Sequence, residues 1–360
     1  MIISSPNSFF ASKNTTKGFQ SDFNKIFYPD ELDRIYIMKG GPGTGKSSFM
    51  RDIARFSESK NVTVEYFYCS SDPVSLDGII LKEPKIALID GTSPHLVDPN
   101  FPGIVENIIN LGNFWDINKL SENKREIIQL IKDKSKFYKR AYQFLSAYGE
   151  IGGEIFQLAK GCLDSKKMIE NIFRQSEKVF RKNADGNEQI RNIATFGADG
   201  LVETLSYQNI SEKIWVVEDH LFSGHLYLKE LENLARNHNQ NFMKSTSPVL
   251  PDYPNALYFS DSKSCFILGK RDYDFEIPGK EYHYINMKRF LNAEKVKENK
   301  QKNKFGLKCM AMLLEGASDA FREAKSIHKE LESYYISAMD FEKMKEIKKM
   351  VQKAILDSIS

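Results

Sequence analysis

The chain has 360 residues, of which 41% are hydrophobic and 28% charged, so it has the composition of a soluble globular protein and the length of two domains. A formal net charge of +3 is close to balance and gives no reason to expect nucleic acid or a membrane surface as a partner. The four cysteines form no CxxC pair, the start MIISSPNSFF lacks a signal-peptide pattern, and no apolar run has bilayer length, which together predict a cytoplasmic protein with reduced thiols.

The first stretch with recognisable chemistry is RIYIMKGGPGTGKSSFM, residues 34–50. Ile35 to Met38 predicts a short buried strand, and the residues after it match G-x-x-x-x-G-K-[ST] without a mismatch. Glycines let successive backbone N–H groups point at phosphate oxygens, and the following helix adds its dipole at the same place. The predicted phosphate-binding residues are Gly40, Gly41, Pro42, Gly43, Thr44, Gly45, Lys46, Ser47 and Ser48.

Two side chains of this loop have predicted roles in binding a nucleotide. Lys46 would reach the β- and γ-phosphates, and Ser47 would offer its hydroxyl to a metal ion. The expected cofactors are therefore ATP and Mg²⁺.

Two further apolar runs, VTVEYFYC (62–69) and KIALID (85–90), predict strands of the same sheet. The second run ends in Asp90, where a Walker B carboxylate helps to hold Mg²⁺. Position 91 is Gly, whereas many P-loop ATPases place there a glutamate that activates water. This difference favours phosphoryl transfer to a substrate, or slow or switched hydrolysis, over rapid ATP turnover.

Polar residues follow both of these strands. Since ligands of open α/β sheets collect at the carboxyl ends of strands, we expect Asp72 and Asp77 to lie near His95 and Asp98. Asp72 would accept a proton from an attacking hydroxyl or orient water, and His95 would do either or contact phosphate. Alternatively, the aspartates form turns by bonding their own backbone. The candidate catalytic residues are Lys46, Asp72 and His95.

The sequence also contains an internal repeat. INLGNFWDINKLSENK (109–124) aligns without gaps to INMKRFLNAEKVKENK (285–300), at a distance of 176 residues. Upstream, RIYIMKGGPGTGKSSF aligns with KIWVVEDHLFSGHLYL, the second segment starting at Lys213. We interpret the second segment as a decayed phosphate-binding loop.

In the second copy, the positions that would serve Mg-nucleotide have changed. Gly45 corresponds to Gly224, which keeps the glycine. The pairs that differ are Lys46 and His225, Ser47 and Leu226, and Asp90 and Leu268. The second half is therefore expected to keep the fold and to have lost the chemistry.

The predicted fold class is α/β, with two tandem P-loop NTPase-like domains that arose by duplication. The predicted domains are residues 1–185 and 186–360, packed as an internal pseudo-dimer. Each ends in a helical extension, at roughly 116–180 and 292–357, where apolar residues recur at three- and four-residue spacing.

Two groups of basic residues are further candidates. The segment KDKSKFYKRAYQF carries Lys136, Lys139 and Arg140, which would close over a triphosphate as a lid or simply form a solvated helix face. A single basic turn gives little support for nucleic-acid binding. Lys270 and Arg271 are candidates for a cation supplied by the second half.

Several segments of the chain together resemble one family: NTTKGF, GGPGTGKSS, CSSDPVSLDG, IDGTSPHLVDP and INLGNFWD. The chain resembles a little-characterised family of bacterial tandem P-loop proteins, usually labelled ATP-binding protein, ATPase or nucleotide kinase. The resemblance covers essentially the whole length and implies Mg-ATP binding, but it supplies no substrate. In that family both halves commonly look competent for nucleotide, so the changed second loop is a departure.

The expected function is Mg-ATP binding with hydrolysis or phosphoryl transfer at one site in the N-terminal half. One alternative is a kinase that acts on a nucleotide or another small molecule, with Asp72 as the base. Another is a nucleotide-dependent binding switch with little turnover, in which the helices form a surface for a protein partner.

Overall fold

The computed structural model describes residues 1–3, 5–182, 184–270 and 276–359. The chain divides into two compact units. One, the glycine-loop unit, consists of Phe9–Ser12, Ser21–Ala141 and Asp319–Ser360. The other, the second unit, consists of Met1–Ser8, Lys13–Gln20 and Tyr142–Ser318. Within the described ranges, no helix combines the length and the apolar character needed to cross a membrane.

Both units contain strands and helices. The strands are β1 (Ile2–Ile3), β2 (Ser8–Phe9), β3 (Ser12–Thr15), β4 (Gly18–Ser21), β5 (Arg34–Lys39), β6 (Val64–Tyr68), β7 (Leu76–Leu81), β8 (Ile86–Asp90), β9 (Glu106–Asn110), β10 (Glu188–Ile190), β11 (Ala194–Gly197), β12 (Gly200–Thr204), β13 (Lys213–Glu218), β14 (Phe242–Thr246), β15 (Pro254–Phe259), β16 (Ser264–Gly269) and β17 (Glu281–Asn286). The α-helices are α1 (Phe23–Ile26), α2 (Lys46–Glu58), α3 (Ile117–Glu122), α4 (Lys124–Gly161), α5 (Ser165–Val179), α6 (Ser206–Ile210), α7 (Gly224–Asn237), α8 (Ala293–Glu298), α9 (Lys300–Ser337) and α10 (Phe341–Ile359).

The sheet of the glycine-loop unit brings the ends of two predicted site strands together. Strands β6, β7, β8, β5 and β9 lie side by side in that order, with β5 parallel to both β8 and β9. Strand β7 runs antiparallel to β6 and β8. Because β5 and β8 are parallel neighbours and Met38 pairs with Asp90, the loop after β5 and the Asp90 carboxylate lie at the same edge.

One hydrophobic core holds the glycine-loop unit together. Helix α2 contributes Phe49, Met50 and Ile53, which pack with buried residues of the sheet. The C-terminal helix α10 contributes Val351 and Ile355 to the same cluster. Apolar surface removed from water stabilises by roughly 25 cal/mol per Å², so the buried face of α10 explains why residues 319–360 belong to this unit.

The sheet of the second unit repeats the arrangement. Strands β14, β15, β16, β13 and β17 lie in that order, with β13 parallel to β16 and β17. Strand β15 runs antiparallel to β14 and β16. Its core takes Met168, Ile172 and Val179 from α5, a helix of the first sequence half.

The mixed α/β class predicted from the sequence is confirmed, and strands occur at each of the apolar runs that predicted them. The predicted helical stretches correspond to α3–α5 and α8–α10. The compact units do not follow the sequence halves 1–185 and 186–360, because α10 packs on the sheet of the first half and α5 on that of the second. Apolar spacing predicts that a helix buries one face, but it does not name the sheet that covers it.

Candidate functional site

The glycine loop, residues 40–48, turns directly from β5 into α2. Gly43 and Gly45 have φ values of +70° and +81°, in the left-handed region that side chains with a Cβ rarely adopt. Helix α2 begins at Lys46 and has no side-chain hydrogen bond at its N-cap, Gly45. The N–H groups of its first turn are therefore not capped by a side chain, as a site for an anion requires.

Helices α9 and α10 lie against this loop within the same unit. A Cβ built on Gly43 would lie 2.7 Å from the backbone oxygen of Glu332, and one on Gly41 would lie 3.0 Å from a ring carbon of Tyr335. A Cβ on Gly45 would lie 3.2 Å from Cε of Met344. The glycines thus serve the close approach of the helices as well as the turn of the backbone.

Lys46 connects the loop with the end of strand β8. Its ammonium donates to the carbonyls of Gly40 and Gly41 at 2.8 and 2.7 Å, and it lies 3.5 Å from Asp90 Oδ2. The other carboxylate oxygen of Asp90 accepts from the N–H and the hydroxyl of Thr92 at 2.9 and 2.5 Å. The predicted phosphate and metal residues are therefore brought together.

Burial raises the pKa of Asp90, and the positive charge of Lys46 and the bonds from Thr92 only partly oppose it. The ionised form of Asp90 is consequently less favourable here than it is in water. Additional positive charge at this place would stabilise the ionised form.

The hydroxyl side chains of the loop differ in their hydrogen bonds and exposure. Ser47 Oγ accepts from the N–H of Leu76 at 3.0 Å, which leaves its own proton and a second lone pair for another partner. Thr44 is buried and donates to the Gly41 carbonyl at 2.9 Å. Ser48 is exposed at the surface.

Asp72, a predicted catalytic residue, is held in an ion pair. Its carboxylate lies 2.8 Å from Lys325 Nζ on α9 and accepts from Ser75 Oγ at 2.7 Å. Burial opposes ionisation, but the bonds from Lys325 and Ser75 outweigh it and lower the pKa of Asp72. The pairing weakens Asp72 as a proton acceptor.

His95, the other predicted catalytic side chain, is buried. Its Nε2 lies 3.1 Å from Asp77 Oδ2, and its ring stacks on Phe23 with centroids 4.5 Å apart. Burial lowers the pKa of His95, but the charge and the hydrogen bond of Asp77 dominate and raise it. Of the four residues expected to converge, Asp77 and His95 are in contact, whereas Asp98 forms an exposed ion pair with Lys39 at 2.8 Å.

Three helix-borne side chains that sequence reasoning missed lie beside the loop. Lys134 of α4 lies 3.3 Å from His328 Nδ1, and His328 Nε2 lies 3.6 Å from the Glu332 carboxylate. Burial lowers the pKa of His328 and raises that of Glu332, and on each of them the positive charge of Lys46 exerts a smaller lowering influence. His328 and Glu332 therefore lie close enough to the loop for the charge of Lys46 to act on them.

The basic residues that the sequence did single out on α4 are at the surface. Lys136 pairs with Asp133 at 2.7 Å and its side chain is 73% exposed, and Lys139 and Arg140 are exposed too. Their exposure agrees with the solvated helix face that the sequence also allowed, and the lid stays a prediction, whereas Lys134 of the same helix contacts His328. Arg271 of the second basic group lies outside the described residues, and Lys270 is exposed in the second unit.

A sequence signal for the missed residues does exist. In the register of 176 residues, Lys134 corresponds to Met310, His328 to Gly152 and Glu332 to Phe156. When the two halves are aligned, a polar residue in one half that corresponds to an apolar residue or a glycine in the other half is a sign of a special role. The spacing of His328 and Glu332 also places them on one face of a helix.

The corresponding loop of the second unit is filled by its own side chains. Asp219 Oδ1 accepts from the N–H of Gly224 at 2.7 Å, and a Cβ on Gly224 would lie 2.7 Å from a methyl of Leu268. His225 is buried with Nε2 3.0 Å from Ser247 Oγ, and burial lowers its pKa. Leu226 packs against the core. The N–H of Gly224 and the space beside it are therefore taken up by side chains of the second unit itself.

The chain matches no protein-family model, no curated protein and no solved structure. A functional conclusion therefore rests on the chemistry of the site itself.

Proposed function

We propose that the chain binds Mg-ATP at the glycine loop and hydrolyses it or transfers its terminal phosphoryl group. The observation that carries this proposal is the shape of residues 40–47, with two left-handed glycines between a parallel strand and an uncapped helix N-terminus. In P-loop NTPases this shape binds phosphate through backbone N–H groups and the helix dipole. Lys46, already at the loop, would clamp the outer phosphates.

Ser47 and Asp90 fit the demands of a magnesium ion beside the phosphates. Among the described residues, no group of three or more His, Cys, Asp or Glu side chains is arranged to hold a metal by itself. Magnesium bound with nucleotide needs only one or two protein oxygens, the rest being phosphate and water. The raised pKa of Asp90 fits a carboxylate whose missing positive charge such an ion supplies. When bound, the metal would neutralise charge on the phosphate oxygens.

We further propose that the two sheets derive from an internal duplication, with one competent site. The equal strand orders and directions support it, as does the register of the sequence repeat. The second loop would not bind Mg-ATP, because the N–H of Gly224 already donates to Asp219 and the Leu268 side chain fills the space beside Gly224. His225 stands in place of Lys46, and burial lowers its pKa, so this position supplies no ammonium to offset the desolvation of a triphosphate.

The proposal allows two phosphoryl acceptors. The phosphoryl acceptor is water, or the hydroxyl of a nucleotide or another small molecule. The absence of a glutamate after Asp90 favours the second, or a slow reaction with water.

A titration of the chain with a fluorescent ATP analogue in the presence of Mg²⁺ tests the proposal. Lys46→Ala should abolish saturable binding, because it removes a charge-assisted contact without removing core packing. Lys60→Ala, which changes an exposed lysine just beyond α2, is the matched control and should bind like the wild type. Equal binding by Lys46→Ala and the control would reject the proposal.

A further inference from the structure

Helix α9 presents the carboxyl group of Glu332 to the glycine loop. The helix backbone at Glu332 approaches the loop closely, since a Cβ built on Gly43 would lie 2.7 Å from the carbonyl oxygen of Glu332. The Gly43 N–H also interacts with the Glu332 carboxylate. The Glu332 side chain is 35% exposed, so solvent or a substrate can still reach its carboxylate.

A polar chain orients this carboxylate from behind. His328, one helical turn before Glu332, accepts a hydrogen bond from the Lys134 ammonium at Nδ1, so its proton is on Nε2. That Nε2 faces Glu332 at 3.6 Å. Lys134, His328 and Glu332 therefore form a continuous polar path that ends at the loop.

No other acidic side chain described near the loop is as well suited to accept a proton. A glutamate in place of Gly91 would overlap with the Ile37 side chain, since a Cβ at that position already collides with its Cγ2 methyl. Asp72 is paired with Lys325, and Asp77 is paired with His95 in the interior. Burial raises the pKa of Glu332, and the Asp72 charge adds to this, which makes it the stronger base.

The second unit has lost the same set of residues together with its loop chemistry. Phe156 stands at the position of Glu332 in the sequence register and pairs with the ring of Tyr253 at 5.0 Å. Met310 stands for Lys134, and its Cε would lie 3.0 Å from a Cβ on Gly152, the counterpart of His328. All three differ between the two units, as do the lysine, the serine and the aspartate, which is expected if all six serve one reaction.

We propose that Glu332 is the general base of the reaction at the glycine loop, an inference that rests on the proposed function. Its carboxylate takes the proton of the water or acceptor hydroxyl that attacks the γ-phosphorus. The new O–P bond forms as the bond from phosphorus to the β,γ-bridging oxygen breaks, and ADP leaves with that electron pair. The proton on Glu332 is afterwards released to solvent. His328 and Lys134 are positioning residues that act through Glu332.

The test compares Glu332→Gln with Glu330→Gln, which changes an exposed glutamate of the same helix. For each chain, the dissociation constant of Mg-ATP and the ADP formed in a long single turnover are measured, in water alone and with added small-molecule hydroxyl acceptors. We expect Glu332→Gln to keep its affinity for Mg-ATP and to lose turnover by about 100-fold or more. Glu330→Gln should match the wild type, and Glu332→Asp, which keeps a carboxylate, should retain more turnover than Glu332→Gln.

Several results would overturn the assignment. Wild-type turnover by Glu332→Gln would do so, and tighter nucleotide binding with unchanged turnover would show instead that the carboxylate competes with phosphate for the loop. Binding of Mg-ATP by the wild type without any ADP formation, either in water or with added hydroxyl acceptors, would equally exclude a base at this position. Failure of the wild type to bind Mg-ATP would refute the proposed function itself, which separates the two claims.

Discussion

The Lys46 ammonium lies 3.5 Å from the Asp90 carboxylate, and this pair joins the first turn of α2 to the end of β8. The two groups are largely buried, with side-chain exposures of 10% and 16%. Burial still raises the pKa of Asp90 despite the neighbouring cation. A cation bound beside Asp90 would favour its ionised form and so offset the cost of its burial.

Asp90→Asn should raise the Mg²⁺ concentration needed for nucleotide binding, by about tenfold or more, because one ionic ligand is lost from the metal. The measurement is a titration of Mg²⁺ at fixed concentrations of protein and fluorescent ATP analogue. Asp98→Asn is the control, since Asp98 is exposed and pairs with Lys39. Identical Mg²⁺ curves for Asp90→Asn and the wild type would show that Asp90 merely ends its strand.

Gly43→Ala should destabilise the glycine-loop unit. A residue with a Cβ costs roughly 1–3 kcal/mol in such a backbone conformation, and the φ of +70° at Gly43 is combined with the close approach of the Glu332 carbonyl. Thermal unfolding should therefore begin at a lower temperature. Gly153→Ala is the control, because a Cβ there meets nothing within 4 Å. Equal midpoints for the two variants would contradict the packing of α9 on the loop.

The local part of the site could be predicted from sequence, since strand, glycines and helix start are contiguous in residues 34–50. Asp90 could be predicted too, because parallel strands end at one edge. The positions of Glu332 and α10 beside the glycine loop could not be predicted. They depend on which of the two sheets these helices pack against, and the helices lie hundreds of residues from the loop in the chain. On α4, composition indicated a basic helix, but only the packed structure shows that Lys134 faces the loop and Lys136 the solvent.

His328 should remain neutral through the physiological range. Burial lowers its pKa to about 4, with help from the charge of Lys134. Between its ordinary value of 6.5 and about 4, the unfolded chain takes up a proton that the folded chain refuses, so this contribution to stability is lost as pH falls through that window. Histidine NMR signals followed from pH 8 to pH 4 at about 25 °C check this. A His328 midpoint near 6.5 would contradict the network with Lys134.

Acid should weaken the second unit through Glu188. Its carboxylate pairs with Arg236 at 2.8 Å and with Lys244 at 2.7 Å, and these bonds lower its pKa to about 2. A lowered acid pKa gives stability that is present above the unfolded value of 4.5 and is lost as pH falls towards about 2.

Glu188→Gln should therefore lower the thermal midpoint modestly at neutral pH and flatten its fall in acid. The effect is modest because the Glu188 side chain is 28% exposed and its partner Arg236 is 41% exposed, so solvent screens the pair. Glu230→Gln, at an exposed position of α7, is the control. A midpoint for Glu188→Gln that follows the wild type at every pH would show that these ion pairs contribute nothing.

The most direct test of the account is the number of Mg-ATP molecules bound per chain. Calorimetry with a non-hydrolysable ATP analogue and Mg²⁺ should give a stoichiometry near one, because the glycine loop has an uncapped helix start with Lys46, whereas Asp219 and Leu268 fill its counterpart. Lys46→Ala should reduce this number to zero, and His225→Ala should leave it at one. No binding by the wild type, or two sites of which one disappears on changing His225, would contradict the account.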